Sequence, residues 1–421
     1  MKTEQLRTDI AVIGGGMIGL CTAYYLEQAG MRPIIIERKQ PGAGCSLRNA
    51  GYVSPSHFVP LASPGIVARG LRWMLNPSSP FYIKPRLDPD LLRWGLLFWR
   101  SSTRQHVRDS MHLLLDLCLR SLSLFEEMAA DTSLAFDLQR RGIVDLFHTD
   151  KGRAAAAEEA ELSHQVGLTA ELLDANGLRR LQPEVDFRAS GGLYFPGDAH
   201  IDPEKFVGSM TAYLRRRGVQ ILTEEEVSEL RFPSPNEVQI TTPIHEIIAR
   251  GAVLAGGAWS PLLAQRLGVR LLVQAGKGYS ITIPRPAHCP TIPMILTESR
   301  VALTPFSDSF RLGGTMEIAG LDLSVTTRRV RAIIDAVPLY LTNVDVLPAL
   351  QQQPWAGLRP VTPDGLPFLG RLRNRTNVVV ATGHAMIGVT LSAVTGKLVA
   401  EMFTEGKTSM SIEALAPERF T

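Results

Sequence analysis

A glycine triplet near the amino terminus constrains this chain more than any other feature. The strand-like run 9–13, which is apolar after Asp9, leads directly into Gly14-x-Gly16-x-x-Gly19, and a helix-forming segment follows up to Gly30. In this spacing Gly14 makes a tight turn, Gly16 leaves room for a pyrophosphate, and Gly19 lets the helix pack closely on the strand. The free N–H groups at the start of the helix then attract phosphate oxygens. The pattern predicts the strand, loop and helix of a dinucleotide-binding fold.

An acidic residue at the end of a second apolar segment supports this interpretation. The segment 33–36 is followed by Glu37, eighteen residues after Gly19, where a carboxylate can accept hydrogen bonds from an adenosine ribose. Strand, loop, helix, second strand and acid occur together, which favours a dinucleotide site over a simple glycine-rich turn. The further contacts expected in this unit are Met17, Ile18 and Arg38.

The sequence after this unit distinguishes between two dinucleotides. FAD and NAD share the glycine fingerprint, but a nicotinamide-binding domain would continue with further βα units. Here residues 38–51 form a polar, glycine-rich loop that contains Ser46 and Asn49, and proline-rich sequence follows. Such a loop can fold over the pyrophosphate and the edge of a flavin. FAD is therefore the favoured cofactor, with Ala50 and Gly51 among its contacts.

One later segment is interpreted as a return of the chain to the nucleotide domain. Asp202 is expected to cap a helix, and a predicted strand at 247–254 leads into Gly256 and Gly257. Two small residues at this point allow the backbone to approach the dinucleotide. Val227, which precedes that strand, is included among the expected cofactor contacts.

A second return lies close to the carboxyl end. The strand 377–382 is predicted to run into the segment 383–390 and then into a helix through Val399, with a helix amino terminus facing the negative charge that develops on a reduced flavin. His384 either donates a hydrogen bond there or is an ordinary packed histidine. The expected cofactor contacts in this segment are Gly383, Met386, Gly388, Val389 and Thr390.

A single arginine precedes this second return. Arg359 lies in a segment punctuated by proline and glycine, next to the flavin-binding strand. The planar guanidinium group suits a substrate carboxylate because it forms two parallel charge-assisted hydrogen bonds. From spacing alone, an ion pair with Asp364 is an equal alternative.

Composition excludes several classes of protein. The 421 residues, 45% hydrophobic and 20% charged, rule out a disordered or fibrous chain and allow two or more domains. The balance of 44 Lys+Arg against 41 Asp+Glu argues against nucleic acid as a partner. The four cysteines have no metal-ligand spacing, so no metal is expected. The absence of an apolar leader or of a long apolar window predicts a cytoplasmic location.

Several longer motifs resemble one known family. The glycine fingerprint is followed in order by Ser46-Leu-Arg-Asn-Ala-Gly-Tyr-Val-Ser-Pro55, Lys277-Gly-Tyr-Ser280, Gly357-Leu-Arg-Pro360 and Thr382-Gly-His384. These stretches resemble the D-amino-acid oxidase/glycine oxidase family of flavoproteins, and within it the bacterial D-amino-acid dehydrogenases. The glycine fingerprint is general to flavoproteins with this fold. The Lys-Gly-Tyr-Ser and Gly-Leu-Arg-Pro motifs together are much more specific to the D-amino-acid dehydrogenase branch.

The resemblance implies a fold and a cofactor. The implied fold class is α/β, α+β overall: a two-dinucleotide-fold flavoprotein with a Rossmann-like FAD domain and an antiparallel-sheet substrate domain. Non-covalent FAD is expected, because no histidine occupies position 48 and no cysteine follows Cys289. The expected FAD domain comprises 1–57, 196–269 and 357–421, and the expected substrate domain comprises 58–195 and 270–356.

The resemblance also implies a reaction. Arg359 would bind the carboxylate of a D-amino acid, with D-proline and D-hydroxyproline as candidate substrates, and a hydride would pass from Cα to flavin N5. The imino acid would hydrolyse to a 2-oxo acid and ammonia, and a quinone, the respiratory chain or O2 would accept the electrons. His384 is retained as a catalytic candidate. Tyr279 is interpreted as a second substrate-facing group, with a core tyrosine as the alternative.

Two other functions remain open from the sequence. An amine oxidase acting on glycine or sarcosine would use O2, and no motif separates it from a dehydrogenase. A non-catalytic FAD subunit of an electron-transfer complex is the second alternative. The pair Arg359 and Tyr279 argues against such a subunit, because a purely structural flavin protein needs no carboxylate-binding group.

One segment lies outside flavin chemistry. Asp88 is expected to cap a long helix that begins at Leu91 and runs on to Met128. Within it, residues 91–108 combine apolar side chains with a row of arginines. This combination predicts either contact with the inner face of the cytoplasmic membrane, where a quinone is accessible, or a helix packed on the substrate domain with a solvated arginine face.

Overall fold

The computed structural model describes residues 4–74 and 79–420. Within these residues the chain forms ten α-helices and nineteen strands. The helices are α1 (Met17–Gln28), α2 (Ile66–Met74), α3 (Pro89–Ser101), α4 (Arg104–Ala130), α5 (Asp150–Gln165), α6 (Ala175–Leu181), α7 (Pro203–Arg216), α8 (Ser260–Gln265), α9 (Thr327–Ala336) and α10 (Ser392–Thr404).

The strands lie before and between these helices, singly or in consecutive runs. They are β1 (Glu4–Ile13), β2 (Pro33–Ile36), β3 (Tyr52–Val53), β4 (Phe81–Ile83), β5 (Ile143–Phe147), β6 (Glu171–Asp174), β7 (Gly191–Phe195), β8 (Ala199–His200), β9 (Gln220–Leu222), β10 (Glu229–Ser234), β11 (Glu237–Thr241), β12 (His245–Leu254), β13 (Gln274–Pro284), β14 (Met294–Leu296), β15 (Val301–Pro305), β16 (Ser309–Ile318), β17 (Trp355–Val361), β18 (Phe368–Leu372) and β19 (Arg375–Thr382).

The first sheet contains the glycine fingerprint. Its central strands β9, β2, β1, β12 and β19 are parallel, and the antiparallel strands β10, β11 and β18 complete its edges. The last residues of β1 and all of β2 are buried, which explains their continuous apolar sequence. Helices α1, α7 and α10 cover one face of this sheet. The arrangement is the Rossmann-like domain that the sequence predicts.

The second sheet is predominantly antiparallel. Its order is β17-β13-β16-β15-β14-β5-β7-β6, with β4 added beside β16. One face packs against α9 in a core that includes Ile281, Leu303, Leu312 and Ile333. The opposite face of β13 carries Ser280, whose hydroxyl donates to the carbonyl of Arg48 in the fingerprint domain at 2.8 Å. The second sheet therefore covers the nucleotide domain with this face.

The sequence-based division into domains remains a proposal, which the packing amends at two points. Strand β17 was expected in the FAD domain, but it pairs with β13 of the second sheet along residues 274–280. Helix α4 was expected in the substrate domain, but its buried residues, such as Leu114 and Phe125, join the core formed by α1, α7 and α10. Both differences arise from tertiary packing that sequence order does not reveal.

The predicted long helix from Leu91 to Met128 is wrong in one respect, because the structure has two helices there. The Asp88 carboxylate caps α3 as expected, accepting hydrogen bonds from the N–H groups of residues 90 and 91. Helix α3 then ends at Ser101, and the Thr103 hydroxyl caps α4 by accepting from the N–H of residue 106. No helix among the described residues is long and apolar enough to span a bilayer.

Candidate active site

A cleft opens where the parallel strands of the first sheet end, and it extends to β17 of the second sheet. Ligands of open parallel sheets bind at this edge, because loops and helix amino termini converge there. The cleft brings together most of the residues predicted from the sequence. Those that line it are Gly14, Gly16, Met17, Ile18, Glu37, Arg38, Ser46, Asn49, Val227, Gly256, Gly257, Arg359, His384, Met386, Gly388 and Val389.

The phosphate end of the cleft requires glycine. Gly14 has φ +117°, and a Cβ atom there would lie 2.5 Å from the carbonyl oxygen of Ala255. A Cβ at Gly16 would lie 3.1 Å from Ser46 Oγ, which itself accepts a hydrogen bond from the N–H of Met17 at 3.0 Å. The missing side chains leave an open cradle at the start of α1. Its shape and its N–H groups fit the pyrophosphate of FAD.

The structure shows the contacts of two further fingerprint residues, Gly19 and Glu37. A Cβ at Gly19 would lie 1.9 Å from the carbonyl oxygen of Gly14, so glycine here permits the close packing of α1 on β1. The Glu37 carboxylate accepts from the N–H groups of Gly15 at 2.7 Å and Lys39 at 2.9 Å. Each carboxylate oxygen has a further lone pair, so Glu37 can also accept from a ribose hydroxyl.

The adenosine end of the cleft contains residues that the sequence analysis did not assign. The Arg38 guanidinium carbon lies 3.7 Å from the centre of the Trp259 ring, and this ring also packs on Gly44. Trp259 lies in the turn between β12 and α8, just after the predicted Gly256 and Gly257. The position of Trp259 after a glycine pair at the end of a strand is the sequence signal that would have identified it as a lining residue.

Cys45 is a second lining residue that was not assigned. Burial raises the pKa of its thiol. A thiol with a raised pKa remains protonated at physiological pH and is a poor nucleophile.

Six predicted site residues lie outside the lining of the cleft. Four of these shape the loops that form it. The Ala50 carbonyl accepts from Thr304 Oγ1 at 2.9 Å, and the Thr390 hydroxyl donates to the Tyr52 carbonyl at 3.1 Å. Positive φ angles make glycine necessary at two positions. These are Gly51 at φ +72° and Gly383 at φ +82°. Direct contact of these four with a cofactor stays a prediction, and the remaining two are Gly19, described above, and Tyr279.

Arg359 is oriented toward the cleft by the second sheet. Its guanidinium lies directly on Gly278, where a Cβ atom would be 2.1 Å from Nη1, and that Nη1 donates to the Thr315 carbonyl at 2.7 Å. Burial lowers its pKa, but an arginine side chain keeps its charge in proteins. No carboxylate of the described residues forms an ion pair with it. The alternative of an Arg359–Asp364 pair is wrong, because Asp364 instead forms a two-pronged pair with Arg419 at 2.7 and 2.9 Å.

Tyr279 does not face the substrate, so this prediction is wrong. The side chain is 1% exposed and packs in the core on the reverse face of the second sheet. Its hydroxyl donates to Glu317 Oε2 at 2.9 Å. Successive residues of a strand point to opposite faces, and Gly278 faces Arg359, so Tyr279 must point away from it. The alternative of a core tyrosine with a satisfied hydroxyl is correct.

His384 lines the cleft but is also held by α10. Its Nε2 lies 3.0 Å from Thr395 Oγ1, and burial lowers its pKa to about 3, so the ring is neutral at physiological pH. The predicted helix after this segment ends later than expected, at Thr404 instead of Val399. Residues 383–391 form turns, and α10 starts at Ser392. A flavin contact of His384 therefore stays a prediction.

The comparison with known families agrees with this architecture. Residues 9–402 match the DAO family, described as FAD dependent oxidoreductase. This match covers most of the chain, and the chain therefore belongs to this family of FAD-dependent oxidoreductases.

Curated relatives and solved structures are similar to the chain over nearly its full length. It is 31% identical over 417 residues to D-amino acid dehydrogenase of Granulibacter bethesdensis, covering 98% of this chain and 99% of the relative. It is 33% identical over 431 residues to D-amino acid dehydrogenase of Paramagnetospirillum magneticum, with the same coverage. Glycine oxidase from Geobacillus kaustophilus shares the fold with a TM-score of 0.79 at 22% identity, covering 99% of this chain and 100% of that one. L-proline dehydrogenase from P. horikoshii has a TM-score of 0.72 at 20% identity, with 99% and 98% coverage.

Proposed function

We propose that the protein is an FAD-dependent D-amino-acid dehydrogenase. The observation that supports this most strongly is Arg359, a guanidinium without a carboxylate partner among the described residues, beside the cofactor cleft. A substrate carboxylate would complete its hydrogen bonds. The full-length relatives named D-amino acid dehydrogenase support the same reaction class. With Tyr279 on the reverse face, Arg359 alone argues against a purely structural flavin subunit.

The chain would act mainly by positioning. Arg359 fixes the carboxylate of the amino acid, and the nearby backbone limits how the substrate can turn, because β17 is joined to the His384 segment through the Ala385 N–H and the Pro360 carbonyl at 2.9 Å. FAD, when bound, supplies the oxidising power for removal of the Cα hydrogen as hydride. The neutral His384 ring can contribute a hydrogen bond but carries no charge. The imino acid formed hydrolyses in water to a 2-oxo acid and ammonia.

Product analysis tests this proposal. The purified protein is incubated with a dye acceptor and, separately, D-alanine, D-proline, both hydroxyproline epimers with the D configuration at Cα, and the corresponding L-amino acids. We expect equal amounts of 2-oxo acid and ammonia from D-alanine, a cyclic imine from the proline substrates, and no product from the L-amino acids. Oxidation of glycine or sarcosine with hydrogen peroxide formation would instead establish an oxidase.

Non-covalent attachment of FAD is a separate prediction. Arg48 occupies the loop position where some relatives carry an attachment residue, and Cys289 lies in the reverse-face core, away from the cleft. Cys45 lines the cleft, but burial raises the pKa of its thiol. We expect acid precipitation to release all the flavin into the supernatant as intact FAD, measured by absorbance. A pellet that stays yellow after washing would contradict non-covalent binding.

We further propose that the electron acceptor is a membrane quinone and that the protein contacts the inner face of the cytoplasmic membrane. On α3, Leu92, Leu96 and Trp99 are exposed, while Trp94 is buried and its Nε1 donates to the Val361 carbonyl at 2.9 Å. That carbonyl belongs to the strand that carries Arg359. Helix α3 thus has an apolar outer side and a direct connection to the candidate site. Exposed arginines beside these residues favour anionic lipid.

Substitution of the apolar residues tests the membrane contact. We expect the triple variant Leu92→Ser, Leu96→Ser, Trp99→Ser to bind vesicles of phosphatidylethanolamine and phosphatidylglycerol at least about tenfold more weakly, because each side chain loses roughly 1.5–3 kcal/mol of apolar burial. Leu119→Ser, at an exposed leucine of α4, is the matched control. Co-sedimentation equal in wild type, triple variant and control would contradict the contact, and the helix would then simply pack on the protein with a solvated face.

A further inference from the structure

The Lys277-Gly278-Tyr279-Ser280 motif has two chemically different faces. Gly278 and Ser280 point toward the nucleotide domain, where they contact the Arg359 guanidinium and the Arg48 carbonyl. Lys277 and Tyr279 alternate with them and point to the reverse face. The reverse-face residues cannot touch a substrate in the cleft, so their chemistry needs another explanation.

Lys277 and Tyr279 belong to a network of ionisable side chains that is buried except at Asp322, whose side chain is 36% exposed. The Tyr279 hydroxyl donates to Glu317 Oε2 at 2.9 Å, and Arg329 Nε lies 3.5 Å from the same oxygen. Lys277 Nζ donates to Asp322 Oδ2 at 2.9 Å and lies 3.8 Å from Glu317 Oε1. Lys277 is 0% exposed. We name this set, Lys277, Tyr279, Glu317, Asp322 and Arg329, the reverse-face network. The positive charges of Lys277 and Arg329 are balanced by the negative charges of Glu317 and Asp322, and charges inside a protein require such pairing.

The reverse-face network surrounds an irregularity in the sheet. Lys277 pairs with Glu317, but Tyr279 pairs with Gly314, so β16 holds one more residue than β13 over this interval. This is a β-bulge, which bends the strand and redirects its groups. Within the bulge, Thr315 has φ +70°, a left-handed conformation that is unfavourable for a β-branched residue. Surrounding contacts must hold such a backbone in place.

The bulge and Arg359 are directly connected. The Thr315 carbonyl oxygen accepts the hydrogen bond from Arg359 Nη1 at 2.7 Å. A regular strand would aim this carbonyl along the ladder toward β13, in line with its neighbours. The left-handed residue therefore supplies an acceptor that fixes the direction of the guanidinium group. Further contacts anchor the neighbouring backbone, since the Met316 N–H donates to the Pro80 carbonyl at 2.7 Å and Arg329 Nη1 donates to the Ser79 carbonyl at 2.9 Å.

We propose that the reverse-face network is a positioning device that holds the Thr315 bulge, and through it the guanidinium of Arg359, in the orientation that binds the substrate carboxylate. This inference rests on the proposed function of Arg359. Tyr279 and Glu317 are positioning residues, because they act through Thr315 and do not reach the cleft. The motif thus has a role on both faces of the strand. Gly278 makes room for the Arg359 guanidinium on the cleft side, and Tyr279 on the reverse face holds the bulge whose Thr315 carbonyl orients that guanidinium.

The test uses the holoenzyme and a carboxylate that cannot be oxidised. Pyrrole-2-carboxylate resembles proline but has no hydrogen on its α-carbon, and its binding is followed by the change in flavin absorbance. We expect Tyr279→Phe to raise its Kd about fivefold, the size typical for the net loss of one ordinary intramolecular hydrogen bond, and to raise KM while leaving kcat nearly unchanged. Tyr340→Phe is the matched control, because its buried hydroxyl also donates to a carboxylate, Glu298 Oε2 at 2.7 Å, in the same core.

A second set of variants, made in the Thr315→Gly protein, separates an effect on the orientation of Arg359 from an effect on the stability of the fold. Glycine adopts φ +70° without strain, so in the Thr315→Gly protein the bulge no longer depends on the network. We expect Tyr279→Phe to change Kd less than twofold in that background, although it lowers the Tm in both. If Tyr279→Phe cannot be purified, Glu317→Gln replaces it in the same comparison. An unchanged Kd in Tyr279→Phe, or an equal rise in both backgrounds, would overturn the positioning role.

Arg359→Ala in the same titration identifies which proposal has failed. If Arg359→Ala weakens binding and Tyr279→Phe does not, the positioning role alone is overturned. If Arg359→Ala binds pyrrole-2-carboxylate as tightly as the wild type, the role of Arg359 in the proposed function is overturned, and the inference with it.

Discussion

Arg359→Ala is expected to lower kcat/KM for a D-amino acid by about 100-fold, mainly through a higher KM, because truncating one partner of a buried charge pair costs roughly 2–5 kcal/mol. The charge of Arg359 has no carboxylate partner among the described residues, so we expect the substrate to supply the missing anion. Bound FAD should remain at the wild-type level, since the guanidinium hydrogen bonds to Thr315 and not to the phosphate cradle. Steady-state kinetics and the flavin absorbance of the purified variant measure both quantities.

Two companion variants make this result specific. Arg359→Lys keeps the charge but loses the planar fork, so it should recover only part of the lost kcat/KM. Arg373→Ala removes an exposed arginine whose closest acid is Glu418 at 3.7 Å, and it should behave as wild type. Kinetics of Arg359→Ala equal to those of Arg373→Ala, with full FAD content, would remove Arg359 from the substrate site.

Gly16→Leu is expected to produce a folded but colourless protein. A Cβ atom at Gly16 already lies 3.1 Å from Ser46 Oγ, and a larger side chain would occupy the space in front of the α1 amino terminus. We expect FAD to bind about 100-fold more weakly, since overpacking costs roughly 1–3 kcal/mol or more and the phosphate contacts are lost as well. The flavin-to-protein absorbance ratio and a titration with FAD measure the effect.

The control for this variant is a glycine with free space around it. Gly208 lies on α7, and a Cβ atom there would meet nothing within 4 Å. Gly208→Leu should keep its flavin and its circular dichroism spectrum. An equal flavin content in the two variants would show that the pyrophosphate does not approach the backbone at Gly16.

The nucleotide site was predictable because its signal is local. The residues from Gly14 to Glu37 contain two strands, the phosphate loop and the helix in one continuous segment, and each glycine meets a steric need that can be stated in advance. The location of Arg359 at the cleft was also predictable from its setting next to the expected flavin-binding strand, whereas its contact with substrate stays a prediction. Its competing interpretation, a pair with Asp364, was removed only by the position of Arg419, near the carboxyl end of the chain.

The direction of Tyr279 could not be derived from the sequence. Polar and apolar residues usually reveal which face of a strand is buried, but β13 is buried on both faces and Lys277 is as buried as Tyr279. Which residues of β13 face the cleft is set by the pairing of Gly276 with Arg359. This pairing is known only once the register of β13 and β17 is known. The contact of Trp259 with Arg38 was missed for a related reason, since it joins segments far apart in the chain.

Anaerobic reduction of the flavin tests the central claim most directly. The purified protein is mixed without oxygen with D-alanine, D-proline, D-hydroxyproline, their L enantiomers, glycine and sarcosine, and the visible flavin absorbance is recorded. We expect a yellow protein whose absorbance is bleached by D-amino acids and not by the L enantiomers. A yellow protein that none of these compounds bleaches would contradict it.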